Sequence, residues 1–178
     1  MFKKSLIRAI LAAGLLLTPL MTRATTVTSG DIAITATVDQ FAEWATVAPI
    51  AAAAFDGHVN AVNQTRTAHE DLTLYSNINV TLAATTTVGN PDYSGILTDA
   101  SATYTLSTAY KISGAGIAGS GALLAPAAFF NVANTYALTH TAGQGSYTVT
   151  LTVTAASPAA SAPEAGDYTC GLALTATW

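Results

Sequence analysis

Residues 145–154 read Gly-Ser-Tyr-Thr-Val-Thr-Leu-Thr-Val-Thr. Tyr147, Val149, Leu151 and Val153 occupy one parity, and Thr148, Thr150, Thr152 and Thr154 occupy the other. Strict alternation is the period of an extended strand that buries one face. Threonine suits the outer face: its branched Cβ stiffens χ1 and favours extended backbone, and its hydroxyl meets water.

The same period recurs on either side of this run. Ile32, Ile34, Ala36 and Val38 alternate with Ala33, Thr35 and Thr37. Leu72, Leu74, Ile78, Val80 and Leu82 share a parity, as do Tyr104, Leu106, Tyr110 and Ile112. Tyr168, Cys170, Leu172, Leu174, Ala176 and Trp178 alternate with Thr169, Thr175 and Thr177. Residues 136–139 form a shorter candidate. Residues 39–47 continue the first strand past an irregularity, because Phe41 and Trp44 lie on opposite parities; a bulge near Asp39-Gln40 accounts for that. Gly89-Asn90-Pro91-Asp92 and Gly143-Gln144-Gly145 are turn signals, residues 113–128 are Gly- and Ala-rich, and residues 155–166 hold two prolines among Ala and Ser. Residues 51–54 fit a short helical turn. Many strands, frequent turns and no long amphipathic helix predict an all-β fold, a β-sandwich.

The N-terminus has a different character. Lys3, Lys4 and Arg8 precede an apolar run from residue 9 to 17, and Thr22-Arg23-Ala24 ends on a small residue. This is the pattern of an export signal at residues 1–24, and its apolar run is too short for a span of roughly 20 residues. Of the 178 residues some 154 then remain, enough for one domain with its own core. The signal takes four of the six cations with it. Arg66 and Lys111 stay against ten acids, a formal charge of −8. Such a chain lacks the clustered cations that nucleic acid or an anionic bilayer requires, so neither is expected as a partner, and no membrane insertion is expected once the signal is gone.

Chemistry-bearing residues are sparse. His58, His69 and His140 are scattered, and His69-Glu70-Asp71 points to alternating faces of an extended chain. No nucleophile elbow, phosphate loop or zinc-ligand spacing occurs, so neither an enzyme nor a cofactor is expected. Asp92 and Asp99 flank a loop that could offer oxygens to calcium, although ordinary loop acids are the simpler reading. Asn63-Gln64-Thr65 and Asn79-Val80-Thr81 match the N-glycosylation pattern, as a Thr-rich chain does by chance. Cys170 is the one cysteine. It cannot form an internal disulfide, and its apolar parity predicts a small buried hydrophobe.

The end of the chain carries a resemblance. The run at residues 145–153 is followed by a Pro-containing loop and by Ala165-Gly166-Asp167-Tyr168-Thr169-Cys170-Gly171-Leu172-Ala173-Leu174-Thr175-Ala176-Thr177-Trp178. This resembles the closing strands of spore coat protein U-type and archaic chaperone–usher pilin subunits, which also end on an alternating Thr/Val strand with a terminal aromatic. The Thr-rich extended segment at residues 25–30, followed by alternation to Val38, is similar as well. The lone Cys170 differs from the disulfide those families carry near their N-terminal strands.

The resemblance implies an immunoglobulin-like sandwich that lacks one strand and is completed by donor-strand exchange. Residues 25–38 would be the donor, with Ile32, Ile34, Ala36 and Val38 as its inserting face, and residues 39–178 the sandwich. The last strand would line the acceptor groove through Tyr168, Leu172, Leu174 and Trp178. Expected partners are further copies of the chain in a fibre or coat, with a periplasmic chaperone and an outer-membrane usher. The expected location is extracellular, or on the cell surface by way of the periplasm. The alternative from another class is a monomeric secreted binding module, an adhesin or carbohydrate binder using Trp44 and loop tyrosines.

Overall fold

Alternation becomes pairing in the computed structural model, which describes residues 35–51, 54–88, 95–119 and 121–178. The expected export signal, Ile32, Ile34 and Asp92 lie outside the described residues. The strands are β1 (Ala42–Trp44), β2 (Thr65–Ser76), β3 (Val80–Val88), β4 (Leu97–Asp99), β5 (Thr105–Ser113), β6 (Ile117–Ala118), β7 (Thr135–Leu138), β8 (Ser146–Ala156), β9 (Tyr168–Thr169) and β10 (Gly171–Thr177). Among the described residues, the short helix α1 (Pro126–Phe129) starts on a proline whose missing N–H costs nothing at a helix start.

The alternating run of Tyr147, Val149, Leu151 and Val153 forms β8, and it is central. A six-stranded antiparallel sheet has the order β1-β2-β8-β5-β4-β9, and a four-stranded sheet the order β10-β3-β7-β6. β8 pairs along its whole length with β2, from Thr65↔Ala156 to Tyr75↔Ser146, and with β5 from Ser107↔Ala156 to Ser113↔Thr150. Its outward threonines join cross-strand rows such as His69–Thr152–Lys111. In another row the Thr150 hydroxyl donates to Asp71 Oδ1 at 2.5 Å.

Between the sheets lies one apolar core. The six-stranded sheet contributes Leu72, Leu74, Tyr110, Ile112, Tyr147, Val149, Leu151 and Val153. The other contributes Val80, Leu82, Ala84, Ile117, Tyr136 and Leu138, and α1 adds Phe129. This is a β-sandwich, in which two inner faces share one core. Residues 38–178 form one compact unit.

Three expectations change. The alternation from Leu72 to Leu82 is two strands in different sheets. Ser76, fully buried, marks the corner: its hydroxyl reaches the carbonyls of Phe41 at 3.1 Å and Ile78 at 2.8 Å, and it accepts the Ile78 N–H. Residues 35–40 are exposed and carry no strand, turn or bend, and of the expected continuation over residues 39–47 only β1 is strand. The single closing strand over residues 168–178 is divided. β9 pairs with β4 (Asp99↔Tyr168), whereas β10 pairs with β3 in the other sheet, and Trp178 lies past the last strand.

Candidate assembly site

Sheet edges expose unpaired N–H and C=O groups, and most proteins keep them short. Three of the four edges here follow that rule: β1 has three residues, β6 and β9 two each. β10 does not. Among the described residues it presents seven positions with a strand partner on one side only.

The inner row of β10 is incompletely covered. Leu172, Leu174 and Ala176 pack against the core yet stay half-buried. Across the sandwich, Ala42 and Trp44 of β1 are half-buried in the same way. By contrast, Val149, Ile112 and Leu82, on strands flanked on both sides, are fully buried. Among these strand residues, partial burial against the core falls on β10 and β1, two edge strands of opposite sheets; Ile50, Phe55, Ile78, Leu124, Phe130 and Cys170, outside the strands, are partly buried as well. The indole Nε1 of Trp44 is buried and has no hydrogen-bond partner among the described residues.

The expected acceptor residues are thus only partly brought together. Leu172 and Leu174 share the inner row of β10. Tyr168 sits on β9 beside Asp99, and its hydroxyl donates to the Glu164 carbonyl at 3.0 Å. Trp178 is 62% exposed. Of the expected donor face, Ala36 and Val38 are exposed, Val38 by 81%, and lie in no strand among the described residues. Trp44, the aromatic of the binding-module alternative, packs against the core with its N–H inside.

Other candidate groups have structural partners. The Asp99 carboxylate accepts the N–H groups of Ser101, Thr103 and Tyr104 at 3.2, 2.9 and 2.8 Å, and the Ser101 hydroxyl as well. The Ser101 hydroxyl, followed by the backbone donors, holds its pKa below the ordinary value. His140 Nδ1 lies 2.7 Å from the Tyr147 hydroxyl, which accepts the Thr141 N–H at 2.9 Å, and the His58 carbonyl accepts Arg66 Nε at 3.1 Å. Among the described residues no group of three or more His, Cys, Asp or Glu could hold a metal ion. No helix there is long and apolar enough to cross a membrane, which says nothing of strands.

Cys170 joins β9 to β10 and is half-buried, with Sγ 3.0 Å from the Tyr110 hydroxyl. That hydroxyl donates to the Gly95 carbonyl, so the thiol is the donor in the second contact. Burial pushes the Cys170 pKa up, the opposite of a reactive thiolate. Cys170→Ala is expected to cost about 1 kcal/mol through a small cavity and a weak hydrogen bond. Self-association should be unchanged. Denaturant titration beside non-reducing electrophoresis checks this, and polymer loss reproduced by a reductant would point instead to an intermolecular disulfide.

No family model and no curated protein matches the chain. Among solved structures it is similar to a chain from one described as a chaperone-tip adhesin complex in CFA/I fimbriae biogenesis, with a TM-score of 0.38 and 12% identity over 68% of this chain; the match spans 38% of that chain's length, less than two thirds of it.

Proposed function

We propose that this chain is an exported structural subunit of an extracellular fibre, pilus or surface coat, assembled by strand donation. Residues 25–38 of one copy would enter the seam between β10 and β1 of the next. The observation that carries this reading is the half-buried inner row of β10 on an edge seven residues long. An added strand would pair with the open edge through main-chain hydrogen bonds and fill the seam with alternate side chains.

The donor suits the seam in length and pattern. Ile32 to Val38 is seven residues, as is β10, and its apolar parity would face inward. Each isoleucine removed from water contributes roughly 1.5–3 kcal/mol. A carbonyl of the incoming strand could also meet the unpartnered Trp44 N–H, whose isolation costs roughly 1–3 kcal/mol. A periplasmic chaperone would supply a substitute strand before assembly, and an usher the exit route; both belong to the proposal.

A synthetic peptide of residues 25–38 tests the reading directly. Added at a hundredfold excess over its Kd to subunits held monomeric, it should stabilise them by about 2.7 kcal/mol, because it binds the folded state alone. A scrambled peptide should do nothing. Equal melting temperatures with both peptides would defeat the assignment of the donor.

A further inference from the structure

β2 has twelve residues, and β1 covers only its last three, from Leu74 to Ser76. Beyond β1 the Ala45 N–H still donates to the Thr73 carbonyl at 2.9 Å, and then the chain leaves the ladder. Pro49, which has no N–H to offer a ladder, lies in the segment that leaves. The chain returns at Asp56, whose N–H donates to the Thr67 carbonyl at 3.0 Å and whose carboxylate accepts the Thr67 N–H at 2.9 Å. In an antiparallel strand alternate residues aim both main-chain groups at the same neighbour. His69 and Asp71 therefore aim theirs to the side that Thr67 and Thr73 face. Among the described residues no strand lies beside them there. The six-stranded sheet thus has a second open stretch, and its residues are His69-Glu70-Asp71.

These side chains differ from those of the other open edge. β10 reads Gly-Leu-Ala-Leu-Thr-Ala-Thr and holds no charge. On β2, His69 and Asp71 are exposed on the outer face, and Asp71 accepts the Thr150 hydroxyl. Glu70 has the parity of Ala68 and Leu72, both buried, and stands opposite Leu151. It is a half-buried carboxylate on the inner row. An inward-pointing charge is one of the devices by which sheet edges escape pairing. A strand laid along the opening would set the side chain next to Glu70 on that same inner row and strip water from the carboxylate, a cost that an apolar neighbour cannot offset. Two copies joined antiparallel through His69 and Asp71 would place Glu70 directly opposite its own counterpart, like charge against like.

We infer that Glu70 bars strand addition at the open stretch of β2. The bar itself stands on the register and burial of β2. Its consequence, that copies of this chain pair along β10 alone, rests on the strand-donation reading.

Glu70→Val in the exported chain tests this, because valine keeps the strand and removes the charge. Light scattering after size exclusion gives the size of the species, and hydrogen exchange at the His69 and Asp71 amides shows where they join. The expected result is a new association at least about tenfold tighter than any wild type shows at this edge, with both amides protected as it forms. In wild type the two amides should exchange freely in monomer and polymer alike. Wild-type sizes in Glu70→Val overturn the inference, as do larger species whose His69 and Asp71 amides still exchange freely, or a wild-type polymer in which they are protected. A wild type that never polymerises, with β10 amides unprotected at every concentration, overturns strand donation and leaves the gain of association in Glu70→Val as the test of the bar. If Glu70→Val does not fold, Glu70→Thr is neutral, equally β-branched and carries the same comparison.

Discussion

Ile34→Asp is expected to give a folded monomer that no longer polymerises. The carboxylate would enter an apolar seam with no cation facing it, and the isoleucine's contribution of roughly 1.5–3 kcal/mol would be lost as well. At 1.4 kcal/mol per decade, association should fall at least about a hundredfold. Removal of residues 25–38 should abolish it. On the proposed strand donation the subunit itself should still fold, because a donor would complete its neighbour's core. Among the described residues, Ala36 and Val38 are exposed and lie outside any strand. The shortened chain should keep its β-type circular dichroism and regain melting temperature when the peptide is supplied. Size exclusion beside thermal unfolding separates the outcomes. A variant that is monomeric because it is unfolded would show that residues 31–38 pack within their own domain.

The parts of this fold that could be read from sequence are those long enough to show a period. β8 and β5 bury every second side chain over seven residues or more, and β2 and β3 do so over five, at residues 72–76 and 80–84. Short strands could not be read, because two or three residues in β4, β6 and β9 hold no period. The corner at Ser76 was hidden for another reason. A buried serine that spends its hydroxyl on local carbonyls keeps the alternation intact on either side while the chain changes sheets.

The candidate site was half legible. Leu172 and Leu174 share a parity that the sequence displays, but their incomplete burial depends on β10 having one neighbour, which only the topology reveals. Tyr168 lies on the same parity and was grouped with them. The break at Cys170 sends it to the other sheet.

Tyr110→Ala should be the most damaging single change in the core. Tyr110 is fully buried, stacks on Phe129 at 5.0 Å and meets Phe130 edge-on at 5.2 Å. Its hydroxyl donates to the carbonyl of Gly95, a residue in the left-handed region where a Cβ would overlap the Phe130 ring, and accepts from Cys170 just before β10. Truncation should cost about 3–5 kcal/mol, a large part of the stability of a domain this size, and lower the melting temperature by roughly 10 °C. Tyr110→Phe keeps the stack and loses only the hydroxyl, so about 1–2 kcal/mol is expected. The two variants should also differ from wild type in alkali. Burial, followed by the Cys170 contact, raises the Tyr110 pKa, and burial raises that of Cys170. Above roughly pH 9–10 the unfolded chain releases these protons and the folded chain keeps them, so stability falls as pH rises. Tyr110→Phe removes the tyrosine share, and Cys170→Ala on top of it removes the thiol share. Melting curves between pH 8 and about 11 should therefore be steepest for wild type and flattest for the double variant. Equal slopes in all three would show that neither group holds its proton in the folded state. Because Tyr110 ties the six-stranded sheet to the residue that leads into β10, Tyr110→Ala should also weaken peptide binding at the seam while Tyr110→Phe largely preserves it.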